Sequence, residues 1–137
     1  MMEGLGRAFN VAPTADGVWI SLVDSSAVAF VGVGADTYTV QSASDAAGTG
    51  AADLAVVDHY AANANANGST AWTEEEQAAA AAVTIAAGVA VIPVLASQLP
   101  AGHTHVRCSS TATGLVTAIT HDLNVQRAPA NLPAVSA

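Results

Sequence analysis

Leu115-Val116-Thr117-Ala118-Ile119-Thr120-His121-Asp122-Leu123-Asn124-Val125-Gln126 decides how the rest of the chain is read. Positions 115, 119, 123 and 125 are apolar, with Thr117 and His121 between them, and most even positions are polar or small. A period of two places one set of side chains on a core face and the other towards solvent or a partner. The stretch is therefore a strand. It runs into Arg127-Ala128-Pro129-Ala130-Asn131-Leu132-Pro133. Each proline lacks an N–H and biases the residue before it towards extended backbone, so the ladder cannot continue. A β-domain that ends in an extended, weakly polar arm points to assembly more than to catalysis.

Working back from that ending, short strand-like runs recur at 18–23, 28–33, 37–42, 54–60, 83–85, 89–92 and 103–109. Turn formers such as Asp24-Ser25-Ser26, Gly34-Ala35-Asp36, Asn67-Gly68 and Leu99-Pro100-Ala101-Gly102 separate them. The spacing predicts an all-β fold, an antiparallel β-sandwich of jelly-roll type. Segments 1–15 and 128–137 read as N- and C-terminal arms around a domain at 16–127. One stretch conflicts with this pattern. Thr73-Glu74-Glu75-Glu76 matches a capping box, and the alanines at 78–82 have the highest helix propensity available. A helix of at most two turns is expected over 73–80.

At 137 residues the chain is one domain. It is 52% hydrophobic, but roughly a quarter of it is alanine, which buries little area. The large anchors are Trp19, Phe30, Leu54, Trp72, Ile85, Ile92, Leu95, Leu115, Ile119 and Leu123. That is a thin set for a monomer, and subunit packing is a natural supplement. There is no lysine, and three arginines stand against eleven acids for a net charge of −8. Phosphate binding needs several basic side chains on one face, so nucleic acid and anionic membrane surfaces are unsuitable partners. The N-terminus lacks an apolar core of signal-peptide type, and no run reaches the ~18 apolar residues of a membrane span. The lone Cys108 permits no internal disulfide and reads as a small strand side chain.

His103-Thr104-His105 is the best metal candidate, because residues two apart on a strand share a face. A cupin would follow such a pair with a glutamate, whereas here the chain continues Val106-Arg107-Cys108-Ser109. His121-Asp122 suggests a hydrolase triad only weakly. No Gly-x-Ser-x-Gly elbow is present, and adjacent strand residues point to opposite faces. Gly32-x-Gly34 and Gly48-Thr49-Gly50 open no helix, as a phosphate loop must. No cofactor, catalytic residue or metal site is therefore assigned, and His103 and His105 stay weak metal candidates.

Asp16-Gly17-Val18-Trp19-Ile20, Ala27-Val28-Ala29-Phe30-Val31, Ala71-Trp72-Thr73 with Gln77, and the closing run from Thr117 through Arg127 to Pro133 form one larger pattern. It resembles a group of small virion structural proteins encoded among the head genes of tailed bacteriophages, notably of high-GC actinobacterial hosts. The resemblance covers most of 16–133 and is most specific from Thr120 to Pro133. It implies a non-enzymatic capsid decoration or minor capsid protein, assembled in the host cytoplasm into the virion. The implied partners are the major capsid protein and further copies of itself, a trimer among the options. Trp19, Trp72, Arg127, Pro129, Leu132 and Pro133 are the expected partner-binding residues. A neck or tail adaptor or tube protein is the alternative, and a small cupin- or lectin-like module using His103 and His105 is the second.

Overall fold

Eleven strands in two facing sheets make up the computed structural model, which describes residues 9–124 and 132–136. They are β1 (Phe9–Ala12), β2 (Ile20–Ser21), β3 (Ser25–Val33), β4 (Asp36–Ala43), β5 (Ala52–Asp53), β6 (Val57–Asn63), β7 (Thr73–Ala80), β8 (Ala82–Ile85), β9 (Val89–Leu95), β10 (His105–Ser110) and β11 (Leu115–Leu123). One sheet has the order β1-β11-β3-β9-β6-β7. The other runs β2-β10-β4, with β5 and β8 end to end along the far side of β4. All these strand pairs are antiparallel. The protein is an antiparallel β-sandwich.

The core lies between the sheets. Val28 and Phe30 of β3, Ile92 and Val94 of β9 and Val116 and Ala118 of β11 meet Tyr38 and Val40 of β4 and Val106 and Cys108 of β10. Tyr38 is the largest fully buried side chain. Its ring fits because two glycines leave room. A Cβ on Gly32 would stand 2.8 Å from the ring, and one on Gly114 would stand 2.5 Å from the hydroxyl. That hydroxyl donates a 2.7 Å hydrogen bond to the Gly34 carbonyl, so the buried phenol is satisfied.

Asp36 ties the loop between β10 and β11 to the start of β4. Its carboxylate accepts N–H bonds from Thr37, Thr111, Ala112 and Gly114 at 2.7–3.2 Å. These bonds, led by the one from Gly114, hold its pKa below the ordinary aspartate value against a smaller opposing effect of desolvation.

The helix expected over 73–80 is a strand. Thr73–Ala80 pairs with β6 at the edge of the six-stranded sheet. The Thr73 hydroxyl, read as a helix cap, instead donates to the Ala62 carbonyl across the pair and to Glu75. Alanine's helix preference amounts to only tenths of a kcal/mol per residue, and a two-turn helix is marginal alone. A ready strand partner outweighs it. Strand β6 also extends through Asn63, past the end of the run expected at 54–60.

Residues 9–12 are likewise not irregular. Phe9–Ala12 pairs with β11 from His121 to Ala118 and forms the other edge of the same sheet.

Candidate interaction surface

In β11 the even set faces the core: Val116, Ala118 and Thr120 are buried. The larger apolar side chains, Leu115 and Ile119, therefore point out of the sandwich. The small even residues are the ones that fit against Phe30, which pairs with Ala118.

Directly opposed residues of neighbouring strands share a face, so the outer surface of the six-stranded sheet can be read row by row. One row is Phe9, His121, Ala27 and Leu95, and the next is Val11, Ile119, Ala29 and Pro93. The third is Thr117, Val31, Val91, Ala61 and Glu74, and the last is Leu115, Val33, Val89 and Asn63; within these rows Ala27, Val89 and Asn63 are already buried by the chain itself. Leu115 is 69% exposed, Leu95 49% and Phe9 48%, while Val11, Ala29, Val31, Val33, Val91, Pro93 and Ile119 are partly exposed. A sandwich strand with a wet outer face normally alternates apolar and polar residues. Here β3 and β9 are apolar on both faces, as in strands that are covered on both sides.

Charge is displaced to one margin of this surface. Asp58, His59, Glu74 and Glu76 cluster on β6 and β7. His59 Nδ1 lies 2.6 Å from Asp58, and that hydrogen bond raises the imidazole pKa and lowers that of the carboxyl; Glu74 and Glu76 add to the rise. Among the described residues no group of three His, Cys, Asp or Glu side chains could hold a metal ion.

The expected site residues fall in separate places. Trp19 is only 9% exposed and lies under Arg107, whose guanidinium carbon is 4.5 Å from the ring centroid. Arg107 also donates twice to Gln41 Oε1, and Gln41 donates to Asp53, so Trp19 belongs to a network within its own domain. Trp72 is 51% exposed beside the acidic edge strand. Arg127 and Pro129 lie outside the described residues. Leu132 and Pro133 lie against the chain's own sandwich. Asn10 Nδ2 donates to the Pro133 carbonyl, and Ser21 N–H donates to the Val135 carbonyl. This segment covers one end of the sandwich over a cavity of about 350 Å³ that Ser25, His105 and Thr120 help to line.

The two histidines of the His-x-His pair have different surroundings. His103 precedes β10 and its Nδ1 is 2.8 Å from Ser42 Oγ, whereas His105 is buried in β10 with Nδ1 2.8 Å from Thr104 Oγ1. His121 and Asp122 were expected on opposite faces, yet they are 3.1 Å apart. Asp122 has a φ of 53°, outside strand geometry, and the ladder resumes at Leu123. That irregularity turns the carboxylate back onto the imidazole. No family model, no curated protein and no solved structure matches the chain.

Proposed function

We propose that this protein is a non-enzymatic structural subunit of a tailed-phage virion, which binds the capsid shell beside the major capsid protein and stabilises it. The exposed apolar outer face of the six-stranded sheet carries this reading. Contiguous apolar patches of several hundred Å² on soluble domains are usually interaction sites. Burying such a face at a subunit junction stabilises a shell passively, by about 25 cal/mol for each Å² of apolar surface removed from water.

The strand order supports the reading at the level of fold. The alternation β1-β11-β3-β9 facing β2-β10-β4-β8 supports a jelly-roll reading of the sandwich, with β5 at the margin and the β6–β7 hairpin extending one sheet. Jelly rolls serve capsids, lectins and cupins alike, so the fold supports a structural role without selecting it. The resemblance centred on Thr120 to Pro133 supplies the setting.

The test is to add the purified chain to heads of the phage that encodes it and to sediment the mixture. Stoichiometric co-sedimentation is expected. A chain that stays in the supernatant and is absent from virions by mass spectrometry would overturn the proposal.

A further inference from the structure

We propose that the outer face of the six-stranded sheet is a contact between two copies of this chain, packed face to face about a two-fold axis that runs along β3. The inference rests on the assembly reading above and assigns that face an occupant.

The first argument is area. The five strands β1, β11, β3, β9 and β6 at about 4.8 Å spacing, over about seven residues of 3.4 Å rise, give about 450 Å² in plan. Side chains roughen that plane, so two copies together would bury on the order of 1,000 Å², the lower bound for a specific interface. A second copy supplies the matching half of that area.

The second argument is chemistry. The rows on β11, β3 and β9 are uncharged but for the margin at His121, where the Asp122 carboxylate lies against the imidazole. Such a surface offers no charge pattern with which to select an unlike partner. A flat apolar sheet face is, however, complementary to another of the same kind, since sheets stack about 10 Å apart with strands within about 30° of alignment.

The third argument is symmetry. Counted from β3, the sheet extends two strands on one side, β11 and β1, and three on the other, β9, β6 and β7. An axis along β3 lays β11 on β9 and β1 on β6 of the second copy. The acidic strand β7 of each copy then overhangs into solvent. An axis across the strands would place the Glu74 and Glu76 margin of one copy on the same margin of the other. The net charge of −8 makes that costly.

Near such an axis a residue meets its own counterpart, so Val31 faces Val31 and Ile119 faces Pro93 of the second copy. Sedimentation equilibrium on the whole chain tests the pairing, with circular dichroism to verify the fold of each variant. A wild-type dimer is expected, with Ile119→Glu weakening association at least tenfold. Val31→Cys is expected to cross-link to its counterpart through a short bis-maleimide, because sheets about 10 Å apart hold the two thiols beyond the reach of a direct disulfide and the buried Cys108 does not compete. A wild-type chain that is monomeric at about 100 μM, a range where even weak specific pairs associate, would overturn the inference. So would a dimer indifferent to Ile119→Glu in which Val31→Cys fails to cross-link. A monomer whose binding to heads is nevertheless lost on Ile119→Glu would assign the face to another protein, ending this inference while leaving the proposed function intact.

Discussion

Leu115 and Val33 stand directly opposite each other across β11 and β3, on the outside of the sandwich and not in its core. Leu115 is 69% exposed there. The same relation repeats along the sheet in Ile119 opposite Ala29, and in Val31 opposite Val91. Cross-strand apolar pairs stabilise a sheet only modestly while one side remains wet. Their full contribution requires a cover.

Substitution on the two faces of β3 and β11 should therefore have opposite consequences. Phe30→Ala is expected to lower folding stability by about 3–5 kcal/mol, since it empties the middle of the core. Ile119→Glu is expected to lower it by no more than about 1 kcal/mol while changing association. Urea denaturation of the two variants at low protein concentration checks the contrast. Equal losses would contradict the assignment of faces.

Tyr38 gives a second test through its glycine neighbours. Gly32→Ala and Gly114→Ala each press a methyl group against the buried ring or its hydroxyl, and each is expected to cost about 1–3 kcal/mol. Tyr38→Phe removes the bond to Gly34 and should cost about 1 kcal/mol. Chemical denaturation midpoints at constant slope would measure all three.

The four backbone N–H bonds to Asp36 make stability depend on pH in a defined direction. Its pKa is lower folded than unfolded, where the reference value is 3.8. The contribution is therefore complete above the unfolded value and is lost as pH falls through the folded one. Asp36→Asn should be less stable than wild type at pH 7, and the gap should narrow under acid. A gap that stays constant to pH 2 in thermal melts would show that charge at Asp36 plays no part.

Burial raises the Cys108 thiol to a pKa of about 12. In the native protein it should resist thiol-specific reagents at pH 8 and react at once after unfolding. Because its folded pKa lies above the unfolded one, the stability this thiol contributes is present below the unfolded pKa of about 9 and declines as pH rises towards 12. Rapid labelling of folded protein would contradict the packing of β10.

Much of the fold was legible because strand signals were local. The alternation in β11, the β-branched residues of β3 and the turns before β4 and β10 each act over a few residues. The stretch from Thr73 to Ala80 misled because a cap motif and an alanine run are also local, while the strand partner β6 that decided the outcome is not. The interaction surface was the harder part. Leu95 and Leu115 read as core anchors, since hydrophobicity alone does not say which phase of a strand faces inward. The core instead turns on Tyr38 and on Gly32 and Gly114, whose role depends on contacts between β3, β4 and the β10–β11 loop. One signal for the outer face was present. Ala27-Val28-Ala29-Phe30-Val31 and Val89-Ala90-Val91-Ile92 are apolar in both phases, as strands covered on two sides are. The His121–Asp122 contact had no such signal, because it depends on the positive φ of Asp122.

Co-sedimentation of Ile119→Glu with phage heads, beside wild type and an Ala87→Glu control on an exposed turn, tests the role of the outer sheet face most directly. Wild type and the control should bind alike, and Ile119→Glu should bind at least tenfold more weakly. Undiminished binding of a folded Ile119→Glu chain would contradict the assignment of this face to assembly.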